Sequence, residues 1–145
     1  MTDREAYDEL CAYTLTHRDP AFIHQHVVDV FAAQTANEET KPMSVAFALV
    51  GLYLHVERHF SGRQVQRAHQ YLARYSRTWP AFALPQDRGS ISVADILAQP
   101  IGAKRDAAIQ AWCASVWNAY RDSRQAIADL VLSYGQALDA SARKG

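Results

Sequence analysis

Two cysteines in 145 residues, Cys11 and Cys113, are too few for a disulfide framework, and their spacing matches no zinc motif. The six glycines are scattered, so no glycine-rich phosphate loop is written into the chain, and no serine or cysteine stands in a nucleophile-elbow context. A charge excess is lacking as well. Fifteen Lys plus Arg balance fifteen Asp plus Glu, which excludes a global attraction to nucleic acid or acidic membranes and leaves only local patches to recruit a charged partner. The first ten residues, MTDREAYDEL, have neither the basic start nor the apolar stretch of a signal peptide. Together with two cysteines on apolar helix faces, this predicts buried, reduced thiols and a cytoplasmic location. The longest apolar run, from Met43 to Val56, has fourteen residues, short of the roughly 20 that a membrane span needs.

That run, MSVAFALVGLYLHV, is apolar almost all round, and a helix of this kind must be wrapped by others on every side. The hydrophobic fraction of 49% and three Trp supply a packed core for one domain over residues 1–145. Helix punctuation recurs along the chain, while strand signals are nearly absent. Thr2 with Glu5, Ser61 with Gln64 and Ser92 with Asp95 carry the spacing of N-terminal capping boxes. Asp19-Pro20 reads as an N-cap followed by proline in the first helical turn, with Ile23, Val27, Val30, Phe31 and Gln34 on the buried side. On that reading His24 widens the apolar face and Asp29 points away from it. Pro42 opens the apolar helix, predicted over about 42–58. A long last helix carries Ile109, Trp112, Val116, Tyr120, Ile127, Val131 and Leu138, with one polar break at Ser123 or Arg124. The prediction is an all-α, single-domain bundle of five main helices and one short helix, the third central and buried. An irregular loop at about 78–91, containing WPAFALPQDRG, is placed over its mouth as a lid or partner surface, and the tail SARKG is expected to fray.

The third helix ends in HVERH. His55 and His59 are spaced i, i+4 and share a face if the helix continues, which is the geometry metal ligation needs. Glu57 stands about 200° round from His55, so the metalloprotease pattern HExxH is not met. A divalent metal ion there would need a third ligand, from His24, His26 or His69. A polar core cluster of His24, Glu57 and Arg124 is the competing expectation, because a buried charge requires pairing; Glu57 is the candidate catalytic base in the metal reading. From Arg58 to Arg77 the chain has five arginines and no acid. Arg63, Arg67, Arg74 and Arg77 line one wedge of the fourth helix, a candidate anion or partner surface.

The segments YDELCAYTLTHRDPAFIHQHVVDVFAAQ, SVAFALVGLYLHVE and AWCASVWNAYRDSRQAI resemble family 5946 of the bacterial domains of unknown function. The resemblance implies an acidic-aromatic first helix, an Asp-Pro-aromatic turn, a histidine followed by aspartate five residues on, and a helix ending in glutamate. It thereby puts His24, Asp29 and Glu57 at the family's polar positions. Longer relatives carry further histidines where this chain has Ala48 and Ser123-Arg124. More distantly the chain is similar to DinB-like metal-binding helical bundles. The reading favoured from the sequence is a non-enzymatic module binding a protein or small molecule, with a homodimer as one arrangement. A metal-dependent bundle enzyme and a nucleic-acid-associated protein using the arginine helix are the alternatives.

Overall fold

The computed structural model describes residues 1–17 and 19–143, and all its regular structure is helical. In chain order the helices are α1 (Asp3–Thr16), α2 (His24–Thr35), α3 (Pro42–Val56), α4 (Gly62–Tyr75), the short α5 (Val93–Ala98), α6 (Ala103–Ala119) and α7 (Arg124–Arg143). A single 3-10 turn, Arg121–Ser123, joins α6 to α7. All three capping boxes form: Thr2, Ser61 and Ser92 each accept from the backbone N–H three residues on, and Glu5, Gln64 and Asp95 accept in return.

α3 is the central rod. Proline occupies its first turn, and Val45, Ala46, Ala48, Leu49, Val50, Gly51, Leu52 and Leu54 are all buried. It packs against α2, α4, α6 and α7. Burying its Val and Leu side chains stabilises by about 1.5–3 kcal/mol each relative to leaving them in water. Leu10, Trp112, Ile109, Tyr120 and Ile127 complete the same core from α1, α6 and the start of α7. Cys113 is buried there and Cys11 half-buried, both as free thiols.

Two expectations about the helices change. α2 starts at His24 and not at Pro20. Asp19 instead caps a tight turn, accepting from the Ala21 and Ile23 amides at 2.9 and 3.0 Å, and Phe22 follows in the left-handed region at φ 58°. The long last helix is two helices, because Tyr120 leaves the helical region at ψ 18° while its hydroxyl is anchored on the Ala33 carbonyl at 2.6 Å. α7 bends again at Gly135, whose φ of 55° and ψ of −139° suit only glycine. Its last residues, Ser141–Arg143, remain helical with Ala142 buried; Lys144 and Gly145 of the SARKG tail lie outside the described residues.

The irregular segment between α4 and α5 is fastened down. Arg88 reaches under it to the Gln34 carbonyl at 3.1 Å, and to the Ala36 and Pro85 carbonyls, serving the orphan acceptors at the C-terminus of α2. Gln34 answers by donating to the Ile91 carbonyl at 2.7 Å, and it accepts from the Trp112 indole at 3.0 Å. At the other end of the segment Trp79 meets the ring of Phe47 edge-on.

Candidate functional site

α2 carries the polar centre of the molecule. Its buried residues are His26, Val27, Asp29, Val30 and Ala33, so the expected roles of His24 and Asp29 are exchanged. His24 is half-buried at the edge, its Nδ1 2.9 Å from the Thr14 hydroxyl of α1, while His26 is the core histidine. Asp29, expected to face outward, is 3% exposed. The reason is tertiary. α2 is sandwiched by α1, α3, α4 and α6, so more than one of its faces is covered, whereas periodicity identifies only the most apolar one.

Asp29 packs directly on the backbone of α3. A Cβ added at Gly51 would lie 1.9 Å from Asp29 Oδ2, so the glycine is what admits the carboxyl group. Oδ1 accepts from Gln25 at 3.2 Å, and Oδ2 has no partner among the described residues. Burial pushes this carboxyl well above the ordinary carboxylate range. His69 of α4 approaches to 4.0 Å, but the two do not form an ion pair. The His69 Nε2–H donates to the Phe47 carbonyl at 2.8 Å, and burial lowers its pKa to about 4. His69 is therefore neutral near pH 7, and desolvation drives Asp29 toward its neutral form as well.

One turn before Asp29, His26 stacks on His55 of α3, with ring centroids 3.4 Å apart and planes inclined by 16°. His26 is 4% exposed, and its Nδ1 has no partner among the described residues. Burial, and secondarily the proximity of His55, lowers its pKa to about 3, so the ring is neutral. His55 is held at both ends: Nδ1 lies 3.1 Å from the Phe60 carbonyl oxygen and Nε2 2.5 Å from Gln110 Oε1. The stacked rings stand in the wall of a cleft of about 480 Å³, bordered also by Asp19, His59, Gln64, Gln110 and the apolar Ile23 and Phe60.

His59 shares the cleft but not a helical face with His55. α3 stops at Val56, and His59 turns the chain in the left-handed region at φ 58°, letting the Phe60 amide reach back to the Leu54 carbonyl at 2.9 Å. The other two candidate metal ligands lie elsewhere, His24 against α1 and His69 against Phe47. Imidazole lone pairs lie in the ring plane, so two nearly parallel rings do not converge on one ion at the usual distance of about 2.0–2.1 Å. Among the described residues no group of three or more His, Cys, Asp or Glu side chains is arranged to hold a metal ion.

Of the expected cluster of His24, Glu57 and Arg124, two members meet. Arg124 forks onto Glu57 at 2.6–2.9 Å, and the Trp117 indole donates to the same carboxylate at 2.7 Å. Arg124 is the chief cause of the lowered Glu57 pKa. The pair is partly solvated and ties the end of α3 to the start of α7, and His24 has no part in it. With its oxygens engaged by a guanidinium and an indole, Glu57 is poorly placed as a general base.

From the sequence His26 stood only as an alternative ligand and Asp29 only as a family polar position facing outward, while Gln25 and Gln110 were missed. One signal was available: glycine in the middle of a buried helix costs about 1 kcal/mol against alanine, and Gly51 is there because another element touches the backbone.

Fold and site together define a helical bundle with a buried polar seam along α2 and a histidine-walled cleft at one end of it. No helix among the described residues is long and apolar enough to cross a membrane. The chain belongs to DUF5946, a family of unknown function, whose model matches residues 4–121, from α1 through α6. No curated protein and no solved structure matches it.

Proposed function

We propose that this family member is a binding module that takes a small polar molecule in the cleft walled by His26, His55 and His59. The observation that carries this reading is His26: a buried imidazole that lines the cleft, stacked on His55, with its Nδ1 unpaired among the described residues. An unsatisfied buried polar atom costs about 1–3 kcal/mol, and such a cost is characteristic of a site kept for a ligand. The mixture of apolar walls with a few convergent polar groups, and the volume, are those of small-molecule sites in general. His55 and Gln110 hold one another in place, so the polar groups are presented rigidly.

The test is a thermal-shift screen of small polar compounds on wild type and on His26→Phe, which keeps an aromatic ring against His55. The variant is expected to be the more stable of the two without ligand, by about 1–3 kcal/mol, and to lose the shift that a cleft ligand produces in wild type. A His26→Phe protein that is less stable, or that responds to the same compounds as wild type does, would sink the reading. A metal-dependent bundle enzyme has in its favour that His55 and His59 border the same cleft. About one equivalent of zinc, iron, nickel or manganese in tag-free protein purified without chelator, lost on His55→Ala, would replace our reading with that one.

A further inference from the structure

A second cleft, of about 400 Å³, lies between α4 and the part of α7 beyond Gly135. It is lined by Arg67, Gln70, Tyr71 and Arg74 of α4 and by Ser141 of α7. Every one of these side chains is a hydrogen-bond donor and none is an acid, unlike the cleft at the histidines, which includes Asp19. We propose that this groove is an oxyanion site for a compact oligophosphate, the anionic part of a phosphorylated small molecule. It is separate from the histidine cleft and stands or falls independently of it.

The two guanidinium groups are uncommitted. Arg67 is half-buried, and it forms no ion pair or hydrogen bond among the described residues; Arg74 only lies 5.6 Å over the ring of Tyr75. Two of the neighbouring arginines are engaged elsewhere, and Arg77 is exposed beyond the end of α4. Arg58 pairs with Asp139 at 2.9 Å, while Arg63 stacks 4.3 Å over Phe22 and donates to Gln66 at 2.7 Å. The acids of α1 do not neutralise this face, because α1 packs on α2 and α5 and Asp8 is paired with Arg4. Asp139, two residues before Ser141, is held by Arg58. Toward the start of α4 the available positive strip therefore stops at Arg67, and within the groove it is short.

That shortness selects the ligand. Arg67 and Arg74 are two helical turns apart, about 10 Å along the axis, with the donors of Gln70 and Tyr71 between them and Ser141 across from them. Guanidinium forks match phosphate oxygens two at a time, so two forks with intervening hydroxyl and amide donors suit adjoining phosphoryl groups better than one. A nucleic-acid strand would need the strip to continue through Arg63, whose guanidinium already lies over Phe22. The bend at Gly135 brings Ser141 to the groove, and Leu138 and Ala142 are buried beneath it.

Calorimetric titration of the full chain with sodium tripolyphosphate tests this, with an oligoribonucleotide as the second titrant. Saturable tripolyphosphate binding is expected, weakened by about tenfold or more in Arg67→Gln/Arg74→Gln and unchanged in Arg63→Gln. His26→Phe is expected to bind tripolyphosphate as wild type does. Absence of tripolyphosphate binding to folded wild type would overturn the proposal, as would equal affinity in a double variant that retains wild-type helicity. Binding of the oligoribonucleotide without binding of tripolyphosphate would also overturn it, in favour of a nucleic-acid surface.

Discussion

Asp29 and Gly51 form the tightest constraint at the scale of single residues. The carboxyl group occupies the space where any other residue at position 51 would have its Cβ, and the helix bearing Gly51 is walled in by four others. Gly51→Ala is therefore expected to destabilise by about 1–3 kcal/mol, although alanine is the better helix former. Chemical denaturation measures this, and a stabilised Gly51→Ala protein would show that Asp29 does not dwell against α3. Asp29→Ala should rescue part of the loss, because the two positions are in contact and do not act additively. The residue types hinted at a close approach to Gly51 but did not identify Asp29 as the group that makes it. An aspartate three residues after a histidine is unremarkable until two helices bring it against that glycine.

Among the elements, α2 and the segment joining α4 to α5 depend on one another. Arg88 serves the C-terminal carbonyls of α2, and Gln34 of α2 serves the backbone of the segment. The stretch expected to act as a lid is thus a strap, held by backbone acceptors at one end and by Trp79 against Phe47 at the other. Arg88→Ala is expected to cost roughly 2 kcal/mol, the scale of a lost charge-assisted bond with acceptors left unpaired. It should also open residues 78–91 to limited proteolysis while the helix content stays unchanged. Proteolysis no faster than in wild type would mean that apolar packing alone holds the strap. The end of α3 is organised similarly. Glu57 and Arg58, adjacent in sequence, grip Arg124 and Asp139 at two points along α7, so the bent helix is tied on both sides of Gly135.

Over the whole molecule, the buried neutral groups set how stability depends on pH. His26 and His69 have folded pKa values near 3 and 4, below their ordinary 6.5. The unfolded chain therefore binds protons that the folded one refuses, and stability falls as pH drops from about 6.5 to 4. Asp29 acts in the opposite sense: its folded pKa is raised, so stability falls as pH rises above the ordinary carboxyl range. His26 and His69 each contribute a loss on the order of 2–3 kcal/mol on acidification from pH 6.5 to 4, the lowered pKa of half-buried His24 adds in the same direction, and Asp29 opposes them. His69→Gln, which retains a donor for the Phe47 carbonyl, should lose less stability than wild type on acidification across that window. Thermal unfolding at steps of pH checks both, and an unchanged slope in His69→Gln would mean that His69 is protonated in the folded protein.

Local chemistry determined the helices. Three capping boxes, Pro42 and the apolar run from Met43 to Val56 each act within one or two turns, so the all-helical class, the buried third helix and most of the starting points could be read from the chain alone. The Glu57–Arg124 pair was also within reach, because a charge at the end of a buried rod needs a partner and the last helix had one inward break. Tertiary packing decided the rest. Where Asp19 caps, where the last helix breaks and which face of α2 is most enclosed depend on neighbours distant in sequence. The histidines show this most plainly. Their spacing placed His55 and His59 on one face, but the left-handed turn at His59 ended the helix and the approach of α2 brought His26 onto His55 instead. Periodicity reports one helix at a time, whereas a buried polar group is positioned by every element that takes its water away.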